Sequence, residues 1–336
     1  MQQINIGING FGRIGRTLFR LLHQHPQITV RAINDLADAP TLAHLLKYDS
    51  IHGIFSAVEG HQDGDLLVSG KKIKRFQASH PKDIDWASAQ VDVVVEATGK
   101  FKTLAELEHH LKNGAKKVIL SAPATEDDMP MVVMGVNESL LMENDHIISN
   151  ASCTTNNAAP MIKVIRDLCG IEQAYITTIH SYTSDQSLHD QPHKDLRRAR
   201  AAGQSIVPTT TGAAKALTKI FPDLENVIGG CGIRVPVPNG SLTDITFNVK
   251  KETHIQEIND TFKQVSENEL KNIVFYTEDP IVSIDINNSC HSCTFDSQMT
   301  SVIGKMVKII GWYDNETGYS SRVIDLIMFL RNKEFI

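Results

Sequence analysis

The chain has 336 residues, five of them cysteine, and a formal net charge of −6 at pH 7. That length suggests two domains, and the acidic balance gives no electrostatic reason to expect a nucleic-acid partner. No apolar run is long enough for a bilayer span, no cleavable leader precedes Ile4, and the odd, scattered cysteines argue against a disulfide framework, so the expectation is a cytoplasmic protein without membrane contact.

Residues 4–9 read as a buried strand. Gly10-Phe11-Gly12-Arg13-Ile14-Gly15 follows, then a helical pattern with Ile14, Leu18, Leu21 and Leu22 on one face, then a second apolar strand, Ile28 to Ile33, ending in Asn34-Asp35. A G-x-G-x-x-G alone is a weak signal, because glycines also make ordinary turns. In the order strand, glycines, helix, strand, acid it points to a dinucleotide. Gly10 makes the tight turn, Gly12 lets backbone approach a pyrophosphate, and Gly15 lets helix pack on strand. Asp35 is placed to bind ribose hydroxyls and to repel a 2′-phosphate, so NAD is expected over NADP.

Val91 to Ala97 forms a continuous apolar strand ending at Thr98-Gly99, residues 103–112 look helical, and Lys117 to Leu120 is a strand ending at Ser121. Met131 to Val136 and His146 to Ser149 read as two more strands. Apolar strands alternating with helices imply an α/β parallel sheet covered on both faces. Ligands bind beyond the carboxyl ends of such strands, which makes Thr98, Gly99 and Ser121 candidate cofactor neighbours as well as ordinary turn residues.

Ser149-Asn150-Ala151-Ser152-Cys153-Thr154-Thr155-Asn156 precedes an apolar helical pattern through Met161, Ile162, Val164, Ile165 and Leu168. Ser, Thr and Asn start helices. Cys153 is therefore expected at a helix N-terminus, where the dipole favours thiolate over thiol. The plainer alternative is a small buried hydrophobe. Pro160 requires either a kink or a helix start close enough to tolerate it.

Tyr175 to His180 is strand-like and ends at His180-Ser181-Tyr182-Thr183. The polar stretch 184–204 is too long for an ordinary connection, and its charged run 193–200 reads either as a solvated face or as an ordered loop at a subunit contact. Pro208 to Ala216 starts another helix, where Thr211 and Gly212 offer donors to an anion or merely cap it. Arg234 sits in an apolar strand and needs an anionic partner. Strands at 242–250, 281–286 and 306–312 suggest a largely antiparallel sheet, with a helix at 253–267 and a last helix through Val323, Ile327 and Leu330. Cys290-His291-Ser292-Cys293 has half the spacing of a zinc site and no second half, so no metal is expected.

At these motifs the whole chain resembles the phosphorylating glyceraldehyde-3-phosphate dehydrogenases. The matching stretches are Ile8 to Arg16, Ser149 to Asn156, His180 to Thr183, Asp195 to Ala202, Thr209 to Ala216, Arg234-Val235-Pro236 and Tyr313-Asp314-Asn315-Glu316. The resemblance implies a Rossmann-type NAD-binding domain over 1–150, rejoined by a C-terminal helix at 317–336. It implies an α+β catalytic domain with a largely antiparallel sheet over 151–316. Cys153 then corresponds to the nucleophile and His180 to its base. Thr183 and Arg234 correspond to the holders of the substrate phosphate, and Ser152, Thr154, Thr211 and Gly212 to the site for inorganic phosphate. Arg13, Ile14, Asp35, Ser121 and Asn315 correspond to cofactor contacts. The implied reaction takes glyceraldehyde 3-phosphate, phosphate and NAD to 1,3-bisphosphoglycerate through a hemithioacetal and a thioester. The implied assembly is a homotetramer with 184–204 at an interface.

Three positions depart from the family pattern. Asn157 replaces a second cysteine and removes a possible disulfide partner under oxidation. Gln191 precedes Pro192 where a small or apolar residue is usual, which bears on cofactor tuning. Ser79 stands where an arginine near the adenine is common, so that contact is not carried over. The rival activities are erythrose-4-phosphate dehydrogenase, opposed by Thr183 and the Thr209 to Gly212 run, and a non-catalytic redox-sensing or binding role, opposed by Cys153, His180 and Arg234 occurring together.

Overall fold

The computed structural model describes residues 3–336. The chain divides into two compact units: residues 1–132, 138–151 and 320–336 in the first, and 133–137 and 152–319 in the second.

The first unit is built on the apolar strands. Ile4–Asn9, Val93–Glu96 and Lys117–Leu120 are buried almost throughout, so neither face can meet water and helices must cover both. The strands run parallel in the order Ile147–Ser149, Lys117–Leu120, Val93–Glu96, Ile4–Asn9, Ile28–Asn34, Lys71–Phe76. Two antiparallel strands, Asp65–Val68 and Val58–Gln62, extend the last edge. The order reverses direction at Ile4–Asn9, which has Ile28–Asn34 on one side and Val93–Glu96 on the other. The carboxyl ends at such a switch are where ligands bind.

Helix Arg13–His23 buries Leu18, Phe19 and Leu22. Helix Leu104–Lys112 begins with a reciprocal cap in which Thr103 and Glu106 satisfy each other's backbone N–H groups. Helix Ala39–Lys47, capped by Asp38, was not anticipated from the sequence. The expected strand over 131–136 does not form. Met131 makes a single bridge to Ser149, and the chain then turns. The Asn137 side chain accepts from Val133 N–H at 2.8 Å and Val136 N–H bonds to Val133 O, so this apolar run satisfies its backbone by a turn instead of a ladder.

The second unit holds a mixed sheet in the order Val207–Thr209, Ile228–Val235, Ile171–Ser181, Ser241–Val249, Met306–Tyr313, Cys293–Asp296, Val274–Thr277, with Ser301–Ile303 paired beside Met306–Tyr313. Two neighbour pairs are parallel, Ile171–Ser181 with Ile228–Val235 and Val274–Thr277 with Cys293–Asp296; the others are antiparallel. The expected strand at 281–286 is instead a 3-10 turn, Ser283–Ile286, because the Asp285 carboxylate takes the Val282 N–H and holds the backbone in a tight cap.

Helix Cys153–Cys169 packs on this sheet with Met161, Ile162 and Ile165 fully buried. It begins at Cys153 itself, so Pro160 lies past the first turn and removes one backbone bond from within the helix. Helix Ile255–Glu267 also contacts that helix, and helix Thr317–Asn332 ends the fold. Among the described residues, no helix is long and apolar enough to cross a membrane.

Candidate active site

In the first unit the glycine turn has the geometry its residues demand. Gly10 has φ +91°, and a Cβ there would lie 2.6 Å from Thr98 N. A Cβ on Gly15 would lie 2.2 Å from Gly10 O, so helix and turn approach as only glycine permits. A Cβ on Gly12 would meet nothing within 4 Å, and Gly12 starts helix Arg13–His23 without a side-chain cap. The backbone at Gly12 is therefore open at a helix start that brings no capping side chain, which suits a pyrophosphate.

Asp35 accepts from Phe11 N–H at 2.8 Å and from Ala37 N–H at 3.0 Å, one bond to each oxygen. Each oxygen keeps a lone pair for a ribose hydroxyl. Arg13 is engaged elsewhere: its guanidinium forks onto Asp49 at 2.6 and 3.1 Å. Burial works against the Asp49 charge, but Arg13 and the N–H groups of His52 and Ile51 hold its carboxyl down at about 2. Ile14 is half-buried beside Arg13 at the helix start.

Thr98 gives both its N–H and its hydroxyl to Glu96, so its side chain is already committed; Gly99 is exposed at φ +69°. Ser121 is half-buried, with its N–H on Glu96 O.

The second unit assembles the nucleophile. Ser152 caps the helix by accepting from Thr155 N–H at 3.1 Å, and Cys153 is its first residue. Cys153 Sγ lies 3.5 Å from His180 Nε2. His180 is buried at the end of Ile171–Ser181, and Arg234 pairs with it in register from the parallel neighbour Ile228–Val235. Arg234 Nη1 lies 2.6 Å from His180 Nδ1 and donates to Ser181 O at 3.0 Å. The isolated arginine of the sequence has thus met the imidazole.

Burial pushes the His180 imidazole down to about 3, assisted by the charges of Arg234 and Arg198 and opposed by the Ser181 carbonyl. Burial also pushes the Cys153 thiol up, against the downward pull of Arg234 and Thr154. Burial and the helix-start N–H groups therefore act on the sulfur in opposite directions.

Thr154 is buried, its hydroxyl 2.9 Å from Tyr313 OH, and the Tyr313 ring stands edge-on to His180 at 6.0 Å. Tyr313 so braces both Thr154 and the imidazole. Thr183 is half-buried, two residues beyond Ser181. Thr211 accepts from Ala213 N–H at 3.2 Å, and Gly212 precedes helix Ala213–Ile220 without a side-chain cap. That helix contacts helix Cys153–Cys169. Asn315 Oδ1 accepts from the hydroxyls of Ser181 and Ser241 at 2.9 and 3.2 Å.

Arg198 was hidden in a run that resembled a solvated face. It pairs with Asp185, donates to Thr209 Oγ1 at 3.0 Å, and its charge reaches both His180 and Arg234. Of the three departures, Asn157 is fully buried and donates to Ser292 O and Trp312 O at 3.1 and 3.3 Å; Gln191 and Ser79 are exposed. Among the described residues no cluster of His, Cys, Asp or Glu has metal-holding geometry.

Residues 4–104 match the family described as glyceraldehyde 3-phosphate dehydrogenase, NAD binding domain, and residues 152–315 match its C-terminal domain. The chain belongs to the glyceraldehyde-3-phosphate dehydrogenase family. Similar members include glyceraldehyde-3-phosphate dehydrogenase 2 of Streptomyces avermitilis, 52% identical over 98% of this chain and 99% of its own. The glyceraldehyde-3-phosphate dehydrogenase of Geobacillus stearothermophilus is 50% identical over the same shares. Glyceraldehyde-3-phosphate dehydrogenase 1 of Bacillus subtilis is 48% identical, again over 98% and 99%. Membership in this family makes the chain an oxidoreductase with NAD as its cofactor.

Proposed function

We propose that the chain oxidises D-glyceraldehyde 3-phosphate with NAD and inorganic phosphate, in the glycolytic and gluconeogenic interconversion, giving 1,3-bisphosphoglycerate. The observation that carries this reading is the contact series Cys153 Sγ, His180, Arg234, with 3.5 Å between sulfur and Nε2 and 2.6 Å between Nδ1 and Nη1. It sets a nucleophile, a base and an anion-binding cation in line.

Cys153 sulfur adds to the aldehyde carbon, and the carbonyl oxygen becomes the hemithioacetal oxygen. His180 Nε2 takes the thiol proton, hands it to the new hemithioacetal oxygen, and takes it back as hydride leaves. NAD supplies the hydride acceptor when bound. The thioester left on Cys153 is cleaved by phosphate, which frees the sulfur. His180 and the Cys153 N–H steady the negative oxygen in each tetrahedral stage. Arg234 and Thr183 hold the substrate phosphate. Thr211, Gly212, Ser152 and Thr154 serve the attacking phosphate, with Ser152 and Thr154 acting through backbone placement because their hydroxyls are engaged with Thr155 and Tyr313. Gly10, Gly12, Arg13, Ile14, Gly15 and Asp35 hold NAD, Arg13 and Ile14 by their helix-start N–H groups; Gly99, Ser121 and Asn315 complete the proposed contacts.

Leu188, Leu196 and Ile206, in and just beyond the 184–204 stretch, are each exposed, at 77%, 82% and 69%, which supports burial of that stretch between subunits of a homotetramer. A cytoplasmic location accompanies the reading. The test is NADH formation from glyceraldehyde 3-phosphate with and without phosphate. Turnover that requires phosphate, and that is lost in Cys153→Ser while NAD binding survives, is the expected result. Turnover independent of phosphate would sink it.

A further inference from the structure

The carboxyl ends of three neighbouring strands in the first unit carry a buried polar ladder that the chemistry at Cys153 does not use. Asn34, Asn9 and Glu96 stand in register across Ile28–Asn34, Ile4–Asn9 and Val93–Glu96. Glu96 and His110 are fully buried. Trp86 Nε1, which can only donate, bonds to His110 Nδ1 at 2.9 Å. His110 Nδ1 is therefore an acceptor, and the ring proton sits on Nε2, 3.1 Å from Glu96 Oε2. Asn9 Nδ2 donates to the same oxygen, and Thr98 N–H and Oγ–H donate to the other. Four donors converge on the two Glu96 oxygens and fill its acceptor positions.

Glu96 fixes both turns beside it. Gly10 turns directly against Thr98, with room for no Cβ between them, and Ala97 N–H bonds to Asn9 O at 2.7 Å. On the other flank Asn34 donates to Asn9 Oδ1 at 2.8 Å and clasps the N–H and C=O of Ala78 at 2.8 and 3.0 Å. A buried carboxylate is an expensive way to hold a sheet together, where apolar residues serve as well. Here it lies where the strand order reverses and the glycine turn begins.

We propose that Glu96 is a positioning residue for NAD. It sets the spacing between the Asn9–Gly10 and Thr98–Gly99 turns, and Trp86 and His110 fix its proton partners from behind. This rests on the reading of the first unit as the cofactor site.

The test is direct titration of the substrate-free protein with NAD, alongside thermal melting, for the wild type, Glu96→Gln and Trp86→Phe. A glutamine at 96 must turn an NH2 toward at least one N–H that only donates, the Thr98 N–H on one side or the Asn9 NH2 and His110 Nε2–H on the other. Glu96→Gln is expected to weaken NAD binding about tenfold or more. Trp86→Phe frees the ring proton to leave Nε2 and is expected to weaken NAD binding about threefold, with the turnover number at saturating NAD within about twofold of wild type. If Glu96→Gln does not fold, Trp86→Phe decides. Wild-type NAD affinity in a folded variant, with only the melting temperature lowered, would make the ladder purely structural and overturn the proposal. A wild-type protein that does not bind NAD would instead overturn the reading beneath it.

Discussion

Arg234 Nη1 and His180 Nδ1 are 2.6 Å apart, and the Ser181 carbonyl stands 2.7 Å from the same Nδ1. A guanidinium only donates. Arg234 and the Ser181 carbonyl compete for Nδ1: where Arg234 donates to it the imidazole proton sits on Nε2, facing the Cys153 sulfur, and where Nδ1 donates to Ser181 O the proton sits on Nδ1. Drawing Arg234 onto a substrate phosphate would let Nδ1 carry the proton, donate to Ser181 O, and leave Nε2 free to accept from the thiol. On this hypothesis the arginine that recognises the substrate also sets the base.

Arg234→Leu is accordingly expected to discriminate between substrates. The kcat/KM for glyceraldehyde 3-phosphate should fall about 100-fold, as for loss of a charge-assisted phosphate contact worth about 3 kcal/mol. Unphosphorylated glyceraldehyde should lose less than about tenfold, because it never used that contact. Steady-state kinetics with both aldehydes decide it; equal losses would show that Arg234 acts on His180 alone.

Asp35 carries three loads, the N–H groups of Phe11 and Ala37 and the expected ribose contact. Asp35→Gly removes the charge that opposes a 2′-phosphate, so the kcat/KM ratio of NAD to NADP should fall about tenfold. Because the glycine turn also loses its acceptor, NAD affinity itself should drop. An unchanged ratio in a folded variant would remove Asp35 from cofactor selection.

Much of the first unit was legible because its strands are short apolar runs between turn residues, and because Gly10, Gly12 and Gly15 follow one strand and precede a helix. The runs at 131–136 and 281–286 misled for one reason: Asn137 and Asp285 satisfy nearby backbone locally, and side-chain competition of that kind leaves hydrophobic patterning unchanged. The pairing of Cys153 with His180 has no sequence spacing to announce it; only the family resemblance joined them beforehand. Arg198 looked solvated because Asp185 and Thr209, which order it, lie across a loop. Glu96 ended an apolar strand without sign that His110 and Trp86 would enclose it.

His180 makes a pH prediction with a definite sign. Its folded value, about 3, lies below the ordinary 6.5, so between those limits the unfolded chain binds a proton that the folded chain refuses. Its contribution to stability is full above 6.5 and is lost as pH falls toward 3. His180→Asn removes this dependence. Denaturant unfolding near pH 7 and about pH 5 should show the wild type losing about 2 kcal/mol more than the variant. Parallel losses would mean that His180 takes up its proton normally in the folded state.

The two proposed anion sites should fail differently, and Thr211 offers the cleaner test. Its hydroxyl accepts from Ala213 N–H at 3.2 Å, at the start of a helix whose Gly212 brings no capping side chain. A helix start binds an anion through N–H groups and partial charge, which is weaker than a guanidinium. Thr211→Ala should therefore raise the phosphate concentration needed for turnover several-fold and lower stability by about 1 kcal/mol through the lost hydrogen bond to Ala213 N–H. Thioester formation precedes phosphate attack, so a single-turnover burst of NADH without phosphate should stay close to wild type. Arg234→Leu should show the reverse pattern, with a slowed burst and little change in phosphate dependence. If Thr211→Ala abolishes the phosphate-free burst and leaves the phosphate dependence untouched, Thr211 belongs to the substrate phosphate and the division between the two sites is wrong.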